Sequence, residues 1–103
     1  MVDFASDGLE AVCKACEVRP DLILLDIGLP SSNGIEAARQ IRKLVPESKI
    51  IFLTIESSAT VAQEALSLGA EGYVLKIYAD SDLLKAVEAV MSGKRFVSQY
   101  LSD

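Results

Sequence analysis

Two apolar runs, Leu22–Leu25 and Ile50–Leu53, constrain the fold of this chain more than any other feature. Neither alternates with polar positions, so each must be covered on both faces, as parallel strands inside a layered sheet are. Two shorter β-type segments, Val2–Ala5 and Tyr73–Leu75, flank them. Helical patterns fill the gaps. Asp7-Gly8-Leu9-Glu10 has the form of a capping box, with Leu9, Val12, Cys13 and Cys16 on one face and Arg19-Pro20 as the stop. Asn33-Gly34-Ile35-Glu36 repeats the device; Ile35, Ala38, Ile41 and Val45 form the stripe, and Pro46 ends it. A third helix is predicted from about Ser58, with Val61, Ala65 and Leu68 inward and Gly69 as its C-terminal cap. A fourth starts near Asp80, presents Leu83, Leu84, Val87 and Met91, and stops at Gly93. The tail from Phe96 to Asp103 has no clear period. Four strands alternating with helices predict βαβ units, right-handed crossovers and an α/β doubly wound parallel sheet.

At 103 residues there is room for one core and not for two. A hydrophobic fraction of 50% with 24% charged residues is the balance of a soluble globular protein. A net charge of −5 argues against direct contact with nucleic acid, which needs a basic surface to displace counterions. No apolar run approaches the roughly 20 residues of a membrane span. Met1-Val2-Asp3-Phe4 also lacks the basic-then-apolar order of a secretory signal. The cytoplasm is the expected location. The pair in Cys13-Lys14-Ala15-Cys16 lacks the two further ligands that zinc would want and sits in mid-helix, not at a helix N-terminus. Core packing is its expected role.

In open α/β sheets, ligands bind beyond the carboxyl ends of the strands, so the residue after each apolar run is the informative one. These residues are Asp26, Thr54 and Lys76. A carboxylate can attack a phosphoryl group and hold it as an acyl phosphate. An ammonium can neutralise the transferred oxygens, and a hydroxyl can donate to them. Each alone could simply cap a strand. Three matched strand ends favour phosphoryl chemistry.

With these residues in place the chain resembles a known family. Pro20-Asp21-Leu22-Ile23-Leu24-Leu25-Asp26-Ile27-Gly28-Leu29-Pro30, together with Asn33-Gly34, is similar to the phospho-acceptor segment of response-regulator receiver domains. Ile51-Phe52-Leu53-Thr54 resembles the segment that carries the switch hydroxyl. Gly69-Ala70-Glu71-Gly72-Tyr73-Val74-Leu75-Lys76 looks like the one with the switch aromatic and the lysine. The Leu83–Gly93 helix with Arg95-Phe96-Val97-Ser98 looks most like the NarL/FixJ (LuxR-type) subfamily, whose receivers feed a helix-turn-helix domain. The resemblance implies a flavodoxin- or CheY-like fold and a signalling role rather than an enzymatic one. It implies that Asp26 takes a phosphoryl group from a sensor histidine kinase and that Lys76 pairs with the phosphoryl oxygens. Thr54 would bond one of them as Tyr73 turns inward, and the Gly28 carbonyl would join Asp26 as a Mg²⁺ ligand.

The family pattern begins with a strand ending in two acidic residues, then a helix; this sequence begins at what resembles the second strand. The receiver portion is then residues 1–95 with four strands, and 96–103 is a tail or the start of a linker to an output domain. The acidic pair has no counterpart, because Asp3 lies inside a strand and Asp7 reads as a cap. Mg²⁺ is therefore expected to bind weakly, and phosphorylation to be weak or absent. Ile55 stands beside Thr54 where the family usually has a small residue, which restricts access. The family's first strand lies between the first two strands present here, so Leu22–Leu25 is expected to have an open edge and the last helix to lose its neighbour. Both favour a homodimer. Two other readings compete: a degenerate receiver that serves only as an interaction or dimerisation module, and a small hydrolase with Asp26 as nucleophile. The hydrolase would need a second acid–base group, and the chain has no histidine.

Overall fold

The computed structural model describes residues 1–26, 32–99 and 101. Gly28 and Pro30, the Asn33 side chain and the last residues of the tail therefore lie outside the described residues. The strands are β1 (Val2–Ala5), β2 (Leu22–Asp26), β3 (Lys49–Thr54), β4 (Gly72–Leu75) and β5 (Phe96–Val97). The helices are α1 (Gly8–Val18), α2 (Ser32–Leu44), α3 (Ala59–Ser67) and α4 (Ala79–Met91), with a 3-10 turn at Lys76–Tyr78. All strands are parallel, in the order β1-β2-β3-β4-β5.

Local chemistry sets the element ends. Asp7 accepts from the Glu10 backbone N–H at 2.8 Å, and Glu10 Oε1 accepts from Ser6 N–H at 2.6 Å, satisfying two donors at the start of α1. Arg19 closes that helix in the left-handed region (φ 50°), its N–H donating to the Ala15 carbonyl. Ser58 caps α3 through the Val61 N–H at 3.3 Å, and Gly69 comes just after that helix with φ +134°, a conformation glycine adopts without strain.

The two sheet faces carry separate cores. Ile23, Leu25, Ile50, Phe52, Tyr73 and Leu75 pack with α1, α2 and α3 through Ala11, Ala15, Ala38, Ile41, Ala62 and Ala65. Leu22, Leu24, Ile51 and Val74 pack with α4 through Ala86 and Val90. Helices on both faces make the sheet doubly wound, as expected.

Several buried faces differ from the sequence reading. In α1 the buried residues are Gly8, Ala11 and Ala15, while Leu9 is 78% exposed and Cys13 and Cys16 are both exposed. The reason is size: α1 lies against both the strands and α2, and small residues let it approach both. The same holds in α3, which buries Ala62 and Ala65. In α4, Ala86 and Val90 are buried and Leu83 and Val87 partly so, whereas Leu84 and Met91 face solvent.

The sheet also has a strand beyond the four expected, β5, which pairs Phe96 with Gly72 and Val97 with Tyr73. The open edge predicted beside Leu22–Leu25 is not there. β1 pairs directly with β2, Val2 opposite Leu22 and Ala5 opposite Leu25. Pairing removes the cost of leaving a row of backbone groups unsatisfied, which is the physical reason for closure. What stays bare lies on β1 itself, where Val2 and Phe4 are exposed. Among the described residues α4 is the one helix on its face, as expected.

Candidate functional site

Parallel pairing puts the carboxyl ends of β2, β3 and β4 on one edge, and the strand register aligns the residues at those ends. Asp26 lies opposite Leu53, and Thr54 opposite Leu75, one residue before Lys76. Lys76, the first residue of the 3-10 turn, brings Nζ to 2.6 Å from Asp26 Oδ1. Both side chains keep about two fifths of their surface open to solvent, at 37% and 46%. The pair is thus a charged couple on the rim of the sheet, reachable by a ligand.

Thr54 and Tyr73 are fully buried beside it. Thr54 Oγ1 accepts from the Glu56 N–H at 3.1 Å, and the Tyr73 hydroxyl donates to the Glu56 carbonyl at 2.8 Å. One peptide turn therefore holds both side chains. Tyr73 packs its ring on Phe52 with centroids 6.3 Å apart and tilted 44°. Burial pushes the Tyr73 phenol up to about 12; the Glu56 charge adds to this, and a hydrogen bond with Thr54 opposes it. Tyr73 is thus inward in this structure. Ile55 is exposed and lines an open hollow with Ser57, Leu75, Ile77 and Tyr78.

Two participants are not among the expected site residues. Glu56 acts through its backbone, which no pattern reveals. Ser98, just past β5, is buried; its Oγ accepts from the Leu75 N–H at 3.0 Å and donates to Asp82 at 3.3 Å. It fixes the backbone next to Lys76. Ser98 closes the Arg95-Phe96-Val97-Ser98 stretch, but nothing in the sequence announces its bond to the Leu75 N–H.

Neither early aspartate reaches this edge as a free carboxylate. Asp3 pairs with Lys14 Nζ at 3.5 Å, and Asp7 is occupied as the α1 cap. Among the described residues no cluster of three or more His, Cys, Asp or Glu could hold a metal ion. Among the described residues the carboxylate donors thus fall short of a protein-held Mg²⁺, and the Gly28 carbonyl expected beside Asp26 lies outside them.

Residues 1–88 match the family model described as the response regulator receiver domain. The chain belongs to this family. The receiver is 42% identical over 89 residues to the transcriptional regulatory protein LnrK of Bacillus subtilis, covering 86% of this chain and 40% of that protein. It is 37% identical over 103 residues to the oxygen regulatory protein NreC of Staphylococcus epidermidis, covering 99% of this chain and 47% of that protein. The chain thus spans less than half the length of the curated relatives it matches. Among solved structures, a LuxR-family two-component response regulator from Aurantimonas sp. superposes with a TM-score of 0.82 at 36% identity. That match covers 92% of this chain and 68% of the other. The receiver domain is therefore of the NarL/FixJ type, and accepting a phosphoryl group is the typical work of its family. No described helix is long and apolar enough to cross a membrane.

Proposed function

We propose that Asp26 is the phosphoryl acceptor of this receiver domain and Lys76 its counter-charge. The observation that carries the reading is the 2.6 Å contact between Lys76 Nζ and Asp26 Oδ1 at the sheet's carboxyl edge, with Thr54 at the next strand end. An Asp26 oxygen attacks phosphorus as the donor's P–N or P–O bond breaks, leaving an acyl phosphate. Lys76 then exchanges its carboxylate partner for the new phosphoryl oxygens. Thr54 bonds one of them, which draws on the Glu56 turn and so on Tyr73. A sensor histidine kinase is the donor, the chain is a switch rather than an enzyme with turnover, and its place is the cytoplasm. A homodimer belongs to this proposal, supported by the exposed Val2 and Phe4 on β1 and by Leu84 and Met91 on α4.

Mg²⁺ is the metal of the family, and where bound it would neutralise charge on the phosphoryl oxygens; the described donors of this chain fall short of holding it. The transfer is accordingly expected to be slow. The test is incubation with acetyl phosphate and excess Mg²⁺, with intact-mass measurement over hours. Slow gain of one phosphoryl group, lost in Asp26→Asn, supports the proposal. No gain under any condition favours the second reading, an interaction module that keeps the fold without the switch; the lack of a metal-ligand cluster among the described residues is the observation in its favour.

A further inference from the structure

The Cys13 and Cys16 pair is left unexplained by the receiver function. It sits on α1, which supplies none of Asp26, Thr54, Tyr73 or Lys76. Its expected role in the core is ruled out, since both thiols face solvent while Gly8, Ala11 and Ala15 take the buried side. Two exposed thiols one helical turn apart are a chelating pair, and their spacing decides what they can bind.

Side chains at i and i+3 on a helix have Cβ atoms about 5–6 Å apart. A disulfide needs Cβ atoms about 3.5–4.5 Å apart, so closing one would unwind the turn. An ion between the sulfurs relieves that demand: at roughly 2.3 Å per metal–thiolate bond, two sulfurs in line span about 4.6 Å. That span is close to the Cβ separation the helix sets for residues three apart, so the ion suits the spacing of the pair. Zinc would require two further ligands, and no described His, Cys, Asp or Glu cluster supplies them. The ion must then be soft enough for thiolate and content with two ligands. Copper(I) meets both conditions.

We propose that Cys13 and Cys16 form a surface dithiolate site for copper(I). Binding replaces both thiol protons with the metal: one Cu⁺ and two thiols give a two-coordinate dithiolate and two H⁺, with no change of oxidation state. Affinity therefore rises with pH as the thiols give up protons.

The test uses the whole chain, anaerobically, with a thiol-free reductant and a chromogenic copper(I) chelator as competitor. The expected result is one copper per chain, release of two protons, and loss of binding in both Cys13→Ser and Cys16→Ser. Both positions are exposed, so the variants should keep the wild-type circular dichroism, which separates loss of ligand from loss of fold. Retention of copper by either single variant would overturn the proposal, as would one copper shared between two chains. Tight stoichiometric zinc binding would refute the choice of ion, and ready closure of an intrachain disulfide with α1 intact would refute the geometry.

Discussion

Replacing Tyr73 with phenylalanine removes one buried hydroxyl and leaves the ring contact with Phe52 in place. At neutral pH the loss is that of the 2.8 Å bond to the Glu56 carbonyl, about 0.5–1.5 kcal/mol. High pH should narrow the gap. A tyrosine in the unfolded chain titrates near 10, whereas Tyr73 in the fold is pushed up to about 12. Its folded pKa is raised, so its contribution is fully present below about pH 10 and is lost as pH rises toward 12. At pH 11 the unfolded tyrosine is mostly ionised and the folded one mostly is not, which costs the wild type on the order of 1 kcal/mol. Tyr73→Phe has no such group. Its deficit should therefore shrink between pH 9 and pH 11 and come close to vanishing, while lysine titration affects both proteins alike. Urea unfolding of the two proteins at matched pH measures the gap. A deficit that stays constant or widens above pH 10 would show that Tyr73 is not held as the buried, neutral donor described.

The Lys76→Met variant should change stability by less than about 1 kcal/mol, because the ion pair with Asp26 is well exposed. The same change should slow phosphorylation on the order of a hundredfold, read by intact mass. In Gly72→Ala the new Cβ would lie 2.8 Å from Ile51 Cγ1, and overpacking of this kind costs about 1–3 kcal/mol by urea melt. Ser98→Ala strands the Leu75 N–H, costing about 1–3 kcal/mol, and should speed hydrogen exchange at that amide.

Much of the sheet was legible because burial on both faces of a parallel strand leaves an unmistakable apolar run. That Asp26, Thr54 and Lys76 share one edge was legible for the same reason: they are the first polar residues after such runs. Helix ends were readable where side chains make them, at Asp7, Ser58 and Gly69. The helix faces were harder. Reading by hydrophobicity puts Leu9, Cys13 and Cys16 inside, whereas close packing selects Gly8, Ala11 and Ala15, whose merit is small size. Strand neighbours were harder still, since an apolar run shows that a strand is covered and not which strand lies beside it. The choice between an open edge on Leu22–Leu25 and its pairing with Val2–Ala5 is made by the structure, in favour of the pairing. β5, at two residues, is too short to have a period.

The sheet order has a kinetic consequence. Each strand pairs with the strand next to it in the chain: Val2 with Leu22, Leu22 with Lys49, Ile51 with Gly72, Gly72 with Phe96. No strand must wait for a partner more than one βαβ unit away, so loop-closure entropy is spent in small, similar instalments. Assembly can then zip outward from β2 and β3, the most apolar pair, with β1 and the two-residue β5 adding last. By the same logic those two rims open first, and β5 carries with it the Ser98 hydroxyl that steadies the backbone beside Lys76.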